Sequence, residues 1–254
     1  MTNAFGTALK DWRRTRRMSQ LDLAVTAGVS SRHISFLETG RSRPSRGMIL
    51  RLCDELTVPF SARNHLLTSA GLSPAYEERD MSQDDMQPVR DAVDWMLRSH
   101  APYPGMALDR HWRLVSMNAP AEQLFGAVGV GQGDSLLEML ISNTAARAAL
   151  ENLDEILRHM VERLRVESVH YGGDAVLDDA AHRMTVMVKS LQESANNAKP
   201  AFIPAVYCLG DTRLSFFSTI SQFGSTGDIA LSELRIELMF PADEATKALL
   251  KAMS

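Results

Sequence analysis

The segment from Met18 to Pro44, MSQLDLAVTAGVSSRHISFLETGRSRP, constrains the fold of this chain more than any other stretch. Ser19 stands three residues before Asp22, an approximate capping box with Asp in place of the usual Glu, so a short helix is expected to start there. Leu21, Leu23, Ala24 and Ala27 are its expected buried face. Gly28 frees the backbone angle for a turn, Ser30 caps a third helix from Ser31 to about Thr39, and Gly40 stops it. Leu23, Ala24, Val29, Ile34 and Leu37 then fix the crossing of the two helices, with Ala24 and Gly28 small where they approach.

The flanks extend this pattern into a run of five short helices over the first 70 or so residues. Phe5, Leu9 and Trp12 follow helical spacing, and Arg13, Arg14, Arg16 and Arg17 crowd the end of that first helix near Met18, at the negative pole of its dipole. A fourth helix from about Ser45 presents Ile49, Leu52, Cys53 and Leu56, and a fifth near Ser61 to Ala70 presents Leu66 and Leu67. Charge divides the chain the same way. Residues 1–72 carry a formal +6 and residues 73–254 carry −10, so the first segment is built to meet a polyanion and the second is not.

The motif resembles the xenobiotic-response-element (XRE) family of helix-turn-helix regulators, matching its Ser-Gln, Leu-Ala, Gly-Val-Ser, Ile-Ser and Leu-Glu-x-Gly pattern and the basic loop and Pro that follow. The resemblance implies a duplex-DNA-binding transcription regulator that presents its third helix to the major groove. Ser31, Arg32, Ser35 and Phe36 are then the candidate base readers, with Arg32 suited to bidentate contact with guanine O6 and N7. Gln20, Arg17, Arg41, Arg43 and Arg46 are the candidate phosphate contacts, which set affinity rather than sequence preference.

Pro74, several Ser and Gly positions and the acidic cluster Glu77, Glu78, Asp80, Asp84 and Asp85 mark residues 73–87 as a linker between a domain at 1–72 and a second at 88–254. In the second domain, residues 88–100 read as a helix, Met106–Asp109 and Trp112–Met117 as a hairpin, and Leu150, Leu153, Leu157, Met160 and Leu164 as an amphipathic helix. Met184, Val188 and Leu191 mark another helix. Residues 206–209, 214–223 and 234–240 are strand-like, and a last helix starts near Asp243. The fold class expected is multidomain: an all-α five-helix domain, then an α+β domain with an antiparallel sheet.

Residues 103–126, YPGMALDRHWRLVSMNAPAEQLFG, resemble the opening of a PAS-like sensor, with Asn118 leaving the hairpin to cap a helix ending near Gly126. Together with the helical middle and the closing LRIELMFPADEATKALL, the chain resembles MmyB-like regulators, which implies a ligand-binding C-terminal domain. Eleven of the 14 methionines follow residue 73, a pattern that reads first as plain core packing and second as a lining for a flexible apolar ligand such as an acyl chain. The candidate pocket residues are Met96, Tyr103, Met106, Trp112, Met117 and Met184. The alternative is a protein-interaction or dimerisation platform with no small ligand.

Other classes find no support in the residues. Phosphate-binding, nucleophile-elbow and zinc-protease motifs are missing, and His170, His182, Asp178 and Asp179 match no metal spacing, so neither enzyme, cofactor nor metal site is expected. Cys53 and Cys208 read as small core residues. No apolar run reaches membrane-spanning length and Lys10, Arg13 and Arg14 follow the N-terminus directly, so the expectation is a cytoplasmic homodimer on a palindromic operator.

Overall fold

The computed structural model describes residues 3–190, 202–224 and 227–253, which fall into two compact units. The first is Met1–Glu78 with Val166–Ala175 and Gly227–Ile229, and the second is Arg79–Arg165, Val176–Thr226 and Ala230–Ser254.

The first unit holds the five expected helices: α1 (Ala4–Thr15), α2 (Gln20–Thr26), α3 (Ser31–Glu38), α4 (Arg46–Glu55) and α5 (Phe60–Ser69). Helices this short gain little from propensity, and side-chain caps fix the starts of all but α5, which follows Pro59. The Ser19, Ser30 and Ser45 hydroxyls accept from the amides of Asp22, His33 and Met48 at 3.1, 3.1 and 3.2 Å. Asp22 returns the bond to the Ser19 amide at 2.8 Å, completing the capping box that the sequence suggests. Gly28 and Gly40 adopt φ of +62° and +74° just past α2 and α3.

Phe5, Leu9, Trp12, Leu23, Ala24, Ile34, Leu37, Ile49, Leu52 and Leu66 close into one core. Two expectations need correction. Leu21 is 61 % exposed, because at about 100° per residue it falls with the exposed Val25 on the side of α2 away from Leu23, Ala24 and Ala27. Helix α1 stops at Thr15 rather than near Met18, since Arg17 takes a φ of +55° and the Met18 amide folds back to the Arg13 carbonyl.

The compact unit also continues past residue 72, into the stretch whose composition reads as linker. Asn64 accepts from the amides of Ala75 and Tyr76 and donates to the Tyr76 carbonyl, while Tyr76 stacks on Phe60 at 4.2 Å. Side chains satisfying backbone groups hold an irregular segment that no hydrophobic period marks. Inside the same unit Arg16 donates to the carbonyls of Leu56, Thr57, Val169 and His170.

The second unit opens with a 3-10 turn (Asp84–Met86) and α6 (Gln87–Ser99), followed by β1 (Gly105–Leu108), β2 (Leu114–Met117) and α7 (Ala119–Gly126). Its middle is helical: α8 (Leu136–Ser142), α9 (Thr144–Ala149), α10 (Leu153–His170) and α11 (Ala175–Ser190), the end of α10 from Val166 and the first residue of α11 belonging to the first unit. It closes with β3 (Ala205–Leu209), β4 (Thr212–Ser221), α12 (Ile229–Glu233), β5 (Arg235–Pro241) and α13 (Glu244–Met253). Leu150 belongs to no helix. It bridges Tyr207 instead, and α10 starts at Leu153. Leu191, expected on the helix of Met184, lies outside the described residues.

Among the described residues the strands form one antiparallel sheet in the order β2-β1-β5-β4-β3, so the last strand in sequence lies at the centre. Side chains alternate between its faces. Ala107 and Ile236 point to one face and join Val93 and Leu97 of α6 in a small core. Met106, Glu237, Met239 and Phe216 point to the other. The hairpin expected around Asn118 is present, and the Asn118 amide ties its surroundings together. Its oxygen accepts from Gly105 and Ala121, and its nitrogen donates to the carbonyls of Leu97 and Tyr103, all between 2.9 and 3.1 Å.

Candidate nucleic-acid interface and ligand cavity

In the first unit α3 presents two different faces. Ile34 and Leu37 are fully buried, Ser31 and Arg32 are exposed, and Ser35 and Phe36 are half-buried beside them. The guanidinium of Arg32 sits 5.1 Å from the Phe36 ring centroid and that of Arg41 sits at 5.9 Å, so two cations flank one aromatic face. Arg17, Arg41 and Arg43 are exposed. Arg46 is differently placed. It donates to the Ser73 and Pro74 carbonyls at 2.7 and 3.0 Å, which occupies the guanidinium intended for phosphate.

The one carboxylate of α3, Glu38, is turned inward. Arg13 grips it through two bonds of 2.6 and 3.0 Å and also reaches the Met18 carbonyl. Gln20, the first residue of α2, donates to the same carboxylate at 2.7 Å. Burial works to raise the Glu38 pKa, but the hydrogen bonds from Arg13 and Gln20, with the charges of Arg13 and Lys10, outweigh it and hold the group below the usual glutamate range. The network therefore neutralises the only acid of the helix and leaves Arg32 as the charge its exposed face offers. It also holds Gln20 at the start of α2.

Among the described residues the second unit leaves a partly open cavity. It measures about 450 Å³ and lies between the Met106, Glu237 and Phe216 face of the sheet and the helices α8 and α10. Its walls are mostly apolar, with Phe125, Leu136, Met139, Leu140, Met160 and Met239 among them. The volume falls in the range of small-molecule sites. Its polar groups are few: Trp112, His159, Arg163, Tyr207, Ser218 and Glu237. Trp112 is buried with a φ of +62°, a left-handed backbone rare for a bulky side chain, and the guanidiniums of Arg163 and Arg235 lie 4.4 and 5.6 Å from its ring.

Of the six pocket residues expected from sequence, Met106 and Trp112 reach this cavity. Met96 packs on the α6 side of the sheet, Met184 is buried on α11, Tyr103 sits beside His100, and Met117 pairs with Met106 on the outer strand β2, so these four do not line it. Sequence reasoning passed over Tyr207, Arg163, Met139 and Phe216. Their approach depends on strand order and on the helical segment 136–149, whose two short helices carry no long period. Cys53 is buried in the first core, where burial pushes its thiol pKa up to about 12. Cys208 is only half-buried, its thiol 3.5 Å from Glu151.

Comparison with known proteins agrees with both units. Residues 4–66 match the helix-turn-helix domain family model, and residues 89–253 match that of the MmyB-like transcription regulator ligand binding domain. A curated relative, the uncharacterized HTH-type transcriptional regulator RghRB of Bacillus subtilis strain 168, is 37 % identical over 75 residues. That match covers 29 % of this chain and spans 52 % of the relative's length. A solved PAS domain, from Bordetella pertussis BvgS, aligns over 64 % of this chain and 95 % of that one at 14 % identity with a TM-score of 0.30, a likeness too loose to argue from. Among the described residues no helix is long and apolar enough to cross a membrane. With a capped helix-turn-helix unit and an α+β unit that each match their own family model, the chain belongs to the family of MmyB-like transcription regulators.

Proposed function

We propose that the chain is a cytoplasmic, homodimeric regulator whose residues 1–72 read a palindromic operator and whose residues 88–254 sense a small apolar ligand, an acyl chain being the best-fitting class. The observation carrying the sensor half is the cavity of about 450 Å³ with methionine, leucine and phenylalanine walls. A dry, filled interior would have favoured the interaction platform instead. The observation carrying the DNA half is the exposed Arg32 on a helix whose only acid is buried and paired.

On this reading Arg32 reads a guanine, Ser31, Ser35 and Phe36 touch neighbouring base edges, and Arg17, Gln20, Arg41 and Arg43 meet phosphates. Arg46 joins them only by giving up its two carbonyls. Two recognition helices must lie about 34 Å apart to engage successive major grooves, so a ligand that changes the dimer's geometry changes operator affinity.

Selection of bound sequences from a random duplex pool, with wild type and Arg32→Ala in parallel, tests the base reader. The variant should lose preference at one position in each half-site. Uniform weakening at every position would instead make Arg32 a phosphate contact. Native mass spectrometry of the purified protein tests the sensor, where a released apolar molecule at fixed stoichiometry is expected.

A further inference from the structure

Tyr207 is the polar group of the cavity whose state calls for explanation. It is 8 % exposed, it lines the cavity from β3, and its ring stands edge-on to Phe125 at 6.4 Å and tilted against Phe216 at 6.3 Å, both of them cavity walls. Its backbone is held by the β3–β4 ladder opposite Leu214 and by the bridge to Leu150, so the ring is presented from a rigid position. Among the described residues nothing hydrogen-bonds its hydroxyl. The hydroxyl is not among the enclosed unpartnered polar atoms of the described residues, so it opens onto the cavity and is available to donate to an occupant. Burial, together with the nearby charge of Glu237, pushes its pKa far up, so it remains a neutral O–H donor.

The partner it awaits is an acceptor, and the charges around the cavity say which kind. The ionisable groups of the walls are Arg163, Glu237 and His159, and the formal charges of the arginine and the glutamate cancel, so no fixed excess of positive charge is there to receive an anion. We infer that the ligand is a neutral carbonyl compound on an aliphatic chain, a ketone, ester or amide, whose oxygen accepts the hydrogen bond of Tyr207. The inference rests on the sensor reading above and names the chemistry of its ligand. The chain fills the apolar part of the cavity and supplies affinity. The carbonyl at Tyr207 supplies discrimination, because a ligand lacking it leaves the hydroxyl orphaned.

The test uses the full-length protein, the apolar dye N-phenyl-1-naphthylamine as occupancy reporter, and three competitors of equal length: undecane, undecan-2-one and undecanoate. Saturable dye uptake displaced by undecane establishes the cavity. Undecan-2-one should then bind more tightly than either of the others, and Tyr207→Phe should weaken it about tenfold while leaving undecane unchanged. The carbonyl stretch of bound undecan-2-one, read by infrared difference spectroscopy, should fall in wild type and return in Tyr207→Phe, which settles the contact even if the variant is less stable. Equal losses for undecane and undecan-2-one would reduce Tyr207 to a packing residue and overturn the inference. Tightest binding by undecanoate would overturn it in favour of an anionic head group. No dye uptake by wild type would overturn the sensor reading and this inference with it.

Discussion

The two units handle buried space in opposite ways. The first fills its interior with Leu9, Leu23, Ile34, Leu37, Ile49 and Leu52 and places one ion pair at the edge of that core. The second leaves about 450 Å³ between its sheet and two helices, and surrounds it with methionine and phenylalanine. Filled interiors resist any change of volume, because close-packed side chains transmit strain. A lined cavity tolerates added volume and gives up binding instead. The contrast separates an element that must present α3 rigidly from one that must admit a guest.

The largest expected effect lies in the filled unit. Glu38→Ala leaves the Arg13 guanidinium buried without its partner and should cost about 3–5 kcal/mol, seen as an early unfolding transition in calorimetry. Acid should act through the same carboxylate. Its folded pKa lies below the ordinary glutamate value, so its contribution is complete at neutral pH and is lost as pH falls from about 4.3 towards the folded value. Hydrogen exchange assigned by peptide should show residues 1–72 loosening across that window in wild type and no such step in Glu38→Gln. Acid loosening that survives the substitution would locate the sensitivity elsewhere.

A matched pair of enlargements probes the contrast directly. Ala24→Leu, at a position 1 % exposed between α2 and α3, should destabilise by about 1–3 kcal/mol. Ala205→Leu, on the cavity wall, should cost less than about 1 kcal/mol and reduce dye uptake. Equal penalties at the two sites would mean that the second interior behaves as a filled core, and the platform reading would gain.

The smallest effect belongs to the exposed pair of Arg183 with Glu138, where α11 meets α8. Hydrogen bonding to Arg183 lowers the pKa of Glu138, yet both side chains face water, so Arg183→Met should change stability by less than about 1 kcal/mol. Moderate salt should remove that small difference altogether. A loss comparable to Glu38→Ala would show that surface and buried pairs are not distinguished in this molecule.

Legibility followed the range of the interactions. The serine caps, Gly28, Gly40 and the inward face of α3 were readable because each depends on residues three or four apart. Asn118 was readable as a cap for the same reason, but not as the donor to Leu97 and Tyr103, whose carbonyls reach it through the fold. Arg13 looked like one of four cations at the negative end of a helix, and folding instead carried it 25 positions along the chain to Glu38. The cavity was least legible. A methionine at helical spacing looks the same whether it fills a core or faces a void, so Met96 and Met184 could not be told apart from Met106.

The sequence by itself determined the local grammar of this protein: where helices start and stop, which half is basic, which helix carries Arg32 outward, and that a mixed α/β unit follows a helical one. Only the tertiary structure decided that β5 lies between β1 and β4, that Tyr207 and Arg163 join Met106 and Trp112 around one space, and that the described residues leave that space unfilled. The physical reason is the reach of the forces. Caps and turns are settled by neighbours along the chain, whereas a void is a property of walls that come from every part of it.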